Sequence, residues 1–155
     1  MNRTVISFLL ILISITTTTA QEILHRWKPL QNEMAKKIWY DVRMLDNATD
    51  GENFEVWILE EHNPPLIFKE VDGEVYKSKI LFTINLKTVK YGIMQVIYYN
   101  TINEKLYSFT YPIANFPDKY KYTYQIMKDN FLFNIVKEFI KAEKNKQMIN
   151  EKTNK

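Results

Sequence analysis

The chain has 155 residues, 46% hydrophobic and 14% aromatic, with no cysteine and a formal net charge of +3. That aromatic content excludes a disordered chain, and the missing cysteine excludes a disulfide scaffold, a zinc ribbon and a thiol enzyme. The length suits one domain and is too short for a two-lobed enzyme with an interdomain cleft.

In chain order, Asn2-Arg3 begins a basic start, residues 5–15 (VISFLLILISI) form an apolar run, and Thr16 to Ala20 then lead to Gln21. A basic start, a short apolar core and a small-residue exit describe a secretory signal peptide over residues 1–20, cut after Ala20. The run falls short of the ~20 apolar residues of a spanning helix. No cysteine comes after it, so no lipid anchor is expected. A secreted or periplasmic location is therefore expected, with residues 21–146 as one domain and 147–155 as a polar Lys/Asn-rich tail. Residues 137–155 hold six Lys and three Glu. The rest of the exported chain is near neutral, which argues against nucleic-acid binding.

Turn signals divide the exported chain: residues 47–53 (NATDGEN), Asn63-Pro64-Pro65, Asp72-Gly73, residues 86–88, 100–104 and 115–119. The runs between them are rich in Ile, Val, Phe, Tyr and Trp, which suit a pleated half-buried surface. They predict short strands at 26–30, 37–43 and 54–60 and longer ones at 75–86, 89–99 and 105–112. Residues 66–70 could add a short edge segment. In the fourth strand Ile80, Phe82, Ile84 and Leu86 alternate with Leu81, Thr83 and Asn85, so the first set shares one face. Short connections make successive strands antiparallel neighbours. From Asp129, a candidate N-cap, the period changes to helical. Phe131, Leu132, Ile135, Val136, Phe139, Ile140 and Ala142 form a wide stripe that closes the core. The fold class is α+β: a curved six-stranded antiparallel meander sheet with a C-terminal helix on its concave face.

Chemistry-bearing residues are sparse. The two histidines, His25 and His62, fall on different elements. Glu60-Glu61-His62 suggests a metal corner, but strand alternation points adjacent side chains to opposite faces, so a charged strand end is the better reading. His25 reads as a surface residue. No nucleophile elbow, phosphate loop, zinc-protease helix or dinucleotide fingerprint occurs. Catalytic residues, cofactor-binding residues, metal ligands and cofactors are all expected to be none. The tyrosines of the second half (Tyr91, Tyr98, Tyr99, Tyr107, Tyr111, Tyr120, Tyr122, Tyr124) suit sheet rims, with a recognition surface as the sharper alternative. Trp27, Trp39 and Trp57 sit one on each of the first three strands and read as packing rather than a carbohydrate platform. Asn47-Ala48-Thr49 fits a glycosylation acceptor and supports an exposed turn.

The order of motifs resembles the surface-adhesin protein E-like domains of bacterial envelopes. The features are Trp27, Tyr40-Asp41, Val56-Trp57-Ile58, Tyr76-Lys77-Ser78-Lys79, Leu81 to Asn85 and Tyr98-Tyr99-Asn100, then a sixth strand and a helix. The likeness covers roughly residues 26–142. It implies the same curved sheet with the helix on its concave side, export or envelope attachment, frequent dimers, and binding of host matrix or serum proteins. The family usually joins a cysteine after the fourth strand to one on the helix. Here residues 85–87 and the helix carry none, so packing alone must hold the helix. The family's proline-led helix entrance is replaced by Tyr124-Gln125. The expected function is a secreted, non-enzymatic envelope or periplasmic domain, an adhesin-like protein-binding module in one version. The alternative is a lipocalin-like carrier of a small apolar ligand, which would need about eight strands closing a barrel. A protein or matrix partner and a homodimer are expected, with no integral membrane segment after cleavage.

Overall fold

The structure is a computed structural model that describes residues 24–30, 37–46, 52–112 and 115–153. The expected signal peptide at 1–20 and Asn47-Ala48-Thr49 lie outside the described residues. The elements are β1 (Trp27–Pro29), β2 (Lys37–Asp41), α1 (Arg43–Asp46), β3 (Asn53–Leu66), β4 (Val75–Asn85), β5 (Lys90–Tyr99), β6 (Lys105–Thr110), α2 (Asp118–Lys121), β7 (Tyr124–Gln125) and α3 (Phe131–Thr153). One antiparallel sheet runs in the order β1-β2-β3-β4-β5-β6, and β7 adds a seventh strand beside β5. Each of the first six strands lies next to its predecessor because the short connections allow little else. The sheet is open, ending in β1 on one side and β6 on the other, so the closed barrel of a lipocalin-like carrier does not form. No described helix is long and apolar enough to cross a membrane.

The period of two along β3 and β4 builds the core. Phe54 pairs with Ile84, Val56 with Phe82 and Ile58 with Ile80, which stacks the alternating apolar residues of both strands on one face. Ile38 and Tyr40 of β2 extend that face, and α3 lays Leu132, Ile135, Val136 and Phe139 onto it. These residues are almost wholly buried. Burying a side chain of that size stabilises by roughly 1.5–3 kcal/mol.

Several details depart from the expected elements. β3 continues through Asn63, Pro64 and Pro65 to Leu66, which pairs with Val75. The ladder is irregular between Glu61 and Leu66, where the prolines offer no N–H to pair. Leu66 therefore ends β3 and starts no extra edge segment. Tyr124-Gln125 forms β7 rather than a helix entrance, and pairs with Tyr91 and Lys90. Its position is fixed by the carbonyl of Val89, a residue with a positive φ of 53°. That carbonyl accepts from the Ile126 N–H at 2.9 Å and from Gln125 Nε2 at 3.0 Å. The cap of α3 is Asn130 instead of Asp129: Asn130 Oδ1 accepts the Leu132 N–H at 2.9 Å. Helix α3 runs from Phe131 to Thr153. Ile140 is 42% exposed and lies outside the core it was expected to close.

Candidate functional site

β6 is the last strand of the sheet path, and among the described residues nothing pairs with its outer edge. The Tyr111 N–H points inward to the Met94 carbonyl at 2.7 Å. By strand alternation the N–H groups of Ser108 and Thr110 point outward. The same alternation carries Tyr107, Phe109 and Tyr111 onto one face. Phe109 pairs with Val96, which pairs with Ile80, so this is the face that α3 covers further along the sheet. Here it is left open: Tyr107, Phe109 and Tyr111 are 40%, 44% and 41% exposed. The Phe109 and Tyr111 rings meet edge to face, centroids 4.5 Å apart.

A second aromatic layer supports this row. Tyr98 lies opposite Tyr107, and Phe68 stacks on the Tyr98 ring at 5.0 Å. Burial pushes the Tyr98 phenol up, with a smaller contribution from nearby Tyr111. Its hydroxyl stays neutral at ordinary pH and offers both a donor and an acceptor. The site is thus a row of aromatic rings beside backbone groups that no described residue pairs. It can add a strand and bind alternate side chains of that strand.

The histidines lie elsewhere. His25 is not a loose surface residue: its Nδ1 lies 2.7 Å from Asp41 Oδ2, and its imidazole is only 10% exposed. The ring stacks on Trp27 at 4.8 Å and meets the Trp57 edge at 5.8 Å. Asp41 also accepts the backbone N–H groups of Arg26 at 3.0 Å and Arg43 at 3.1 Å. Burial alone would raise its carboxyl. The three donors, Arg26 and His25 before Arg43, outweigh that and hold it below the usual carboxylate range. Asp41 therefore clasps the start of the domain against the end of β2.

His62 Nε2 lies 2.7 Å from Ser78 Oγ, and Ser78 is buried inside the sheet. Glu61 instead faces Lys37 at 3.5 Å and Lys77 at 3.8 Å. Glu60, Glu61 and His62 line a pocket of about 740 Å³ with Tyr76, Lys77 and the cis Asn63–Pro64 bond. Among the described residues no three His, Cys, Asp or Glu side chains are placed to hold a metal ion together.

The three tryptophans share the face opposite α3, since Trp27 pairs with Asp41, Trp39 with Leu59, and Trp57 precedes Leu59 by two. Trp57 is buried under Lys79, whose Nζ sits 4.7 Å from its ring. It packs; it offers no exposed stacking surface. Of the tyrosines, Tyr91 and Tyr122 turn inward, while Tyr107, Tyr111, Tyr120 and Tyr124 stay open. Sequence reasoning weighed the tyrosines as a group and missed Phe109, although its alternation with Tyr107 and Tyr111 was the available signal. No family model, curated protein or solved structure significantly matches this chain.

Proposed function

We propose that this chain is an exported, non-enzymatic domain that binds an extended segment of a protein partner along β6. The observation that carries the reading is the coincidence of a sheet edge, which no described residue pairs, with three exposed aromatic rings close together along it. Backbone groups of an incoming strand would pair with the outward N–H and C=O groups of Ser108 and Thr110. Its alternate side chains would lie against Tyr107, Phe109 and Tyr111. Tyrosine and phenylalanine rings are enriched in the cores of such interfaces.

Export is supported by the leader-like pattern of residues 1–20 and is tested by N-terminal sequencing of the protein from its native host, with Gln21 as the expected first residue. An adhesin-like role, the homodimer, and a sheet curved around α3 belong to the same proposal and rest on the order of motifs from Trp27 to Asn100. A second copy is one candidate for the strand that fills the edge, because unblocked edges favour pairing.

The direct test is selection of binders from a random peptide library displayed on phage, then hydrogen exchange of the complex. Protection of the Ser108 and Thr110 amides is the expected result. Binders that leave those amides exchanging freely would remove the basis of the reading.

A further inference from the structure

We propose that the outward face of α3 docks on a membrane surface containing anionic lipid. The core uses the inward stripe of this helix up to Phe139. Away from that stripe Ile140, at its margin, and Met148 stand 42% and 53% exposed; Lys137, Lys141 and Lys144 lie within about one turn of Ile140, and Lys144 about one turn before Met148. Lys137 folds its ammonium over the Phe133 ring at 4.6 Å, so its stem also covers apolar surface.

Between residues 137 and 148 the charge on this face is one-sided for a structural reason. Glu138 is drawn aside to Lys28 of β1 at 3.2 Å, and Glu143 is paired with Lys146 at 2.9 Å. These two of the helix's three glutamates are thereby paired with lysines. Lys141 and Lys144 form no ion pair with a described carboxylate; Lys141 follows Ile140 directly, and Lys144 lies one turn from both Ile140 and Met148. A helix with an apolar ridge between lysines suits the headgroup boundary, where the ridge enters the acyl margin and the lysines meet lipid phosphates. A polyanion with no apolar surface would use the lysines and leave Ile140 and Met148 in water. That difference favours the bilayer, and it also supplies the test.

The chain lacks cysteine, so a Met148→Cys variant of the full chain can be labelled at one place with an environment-sensitive fluorophore. A Thr110→Cys variant, labelled on the sheet edge, reports any membrane approach that does not involve α3. The label at 148 is expected to shift to the blue with vesicles of mixed phosphatidylcholine and phosphatidylglycerol. Phosphatidylcholine alone should leave it unchanged, and the label at 110 should stay unchanged with both. Each lysine near an anionic surface contributes about five-fold in affinity, so adding Lys141→Gln and Lys144→Gln should weaken the response about 30-fold. Circular dichroism of the labelled proteins checks that the fold is kept. No shift at 148, an equal shift on neutral vesicles, or an equal shift at both labels would overturn the proposal. So would a shift of the same size with heparin, a polyanion that has no apolar phase.

Discussion

The ring of Phe139 on α3 lies flat against the ring of Phe54 on β3, centroids 4.2 Å apart and planes only 5° from parallel. This contact joins the helix to the sheet in a chain that has no disulfide to do so. Both rings are buried, and Ile135 and Val56 complete the surroundings. Phe139→Ala should cost about 3–5 kcal/mol, from lost transfer energy and the cavity left behind. A domain of this size typically has only about 5–15 kcal/mol in total. Urea denaturation monitored by circular dichroism measures the loss. A change under about 1 kcal/mol would mean that α3 does not close the core. Truncation after Tyr124 should abolish the cooperative transition altogether.

The alternation in β4 and the stripe on α3 made the sheet, the helix and their contact legible, because both periods are set by backbone geometry alone. What escaped depends on tertiary conditions. Two residues of β7 carry no periodic signal, and their position relies on bonds to the carbonyl of Val89. Ile140 belongs to the apolar stripe by spacing, but periodicity says nothing of where the sheet beneath ends. His25 and Asp41 are sixteen residues apart, and they meet through the β1–β2 register, which the hydrophobic pattern leaves open. The aromatic row shows the same limit. Its density was visible, but the pattern does not say that Tyr98 is half-buried while Phe109 is exposed.

The cap of α3 separates two neighbouring polar residues. Asn130 accepts the Leu132 N–H, the bond that an N-cap makes, and so takes the place expected for Asp129. Asn130→Ala should therefore cost about 1 kcal/mol, the usual value of an N-cap. Asp129→Ala should stay within about 0.5 kcal/mol, as surface substitutions do. Paired urea curves decide this, and the reverse ranking would move the helix start back by one residue.

Asp41 should make the protein sensitive to acid. Its carboxyl titrates below the usual range in the folded chain, because the N–H donors that favour its anion outweigh burial. A group with a lowered folded pKa contributes its full stability above the unfolded value, about 3.9 for Asp. That contribution is lost as pH falls from there through the lowered folded value. Asp41→Asn removes the charge but keeps the shape. At neutral pH it should cost about 1–3 kcal/mol, since buried donors lose a charged acceptor. Its stability should also fall less steeply than that of the parent chain below pH ~4. Denaturation midpoints from pH 2 to 6 for both proteins give the comparison, and parallel curves would show that another carboxylate governs the acid limb.

The β6 edge allows binding to be separated from folding. The Ser108 N–H points away from β5, so Ser108→Pro removes a donor that the sheet does not use. Proline is tolerated on edge strands in that orientation. The variant should keep the parent urea midpoint to within about 1 kcal/mol, but it should lose the strand pairing that an incoming peptide requires. Phe109→Glu keeps every backbone group and removes one exposed ring. An aromatic at the centre of an interface contributes about 2 kcal/mol or more, so selected peptides should bind at least about 30-fold more weakly. The two variants fail in different ways if the site is elsewhere. Binding that survives Ser108→Pro but not Phe109→Glu would assign the contact to the aromatic face alone. Binding that survives both would move the site off β6.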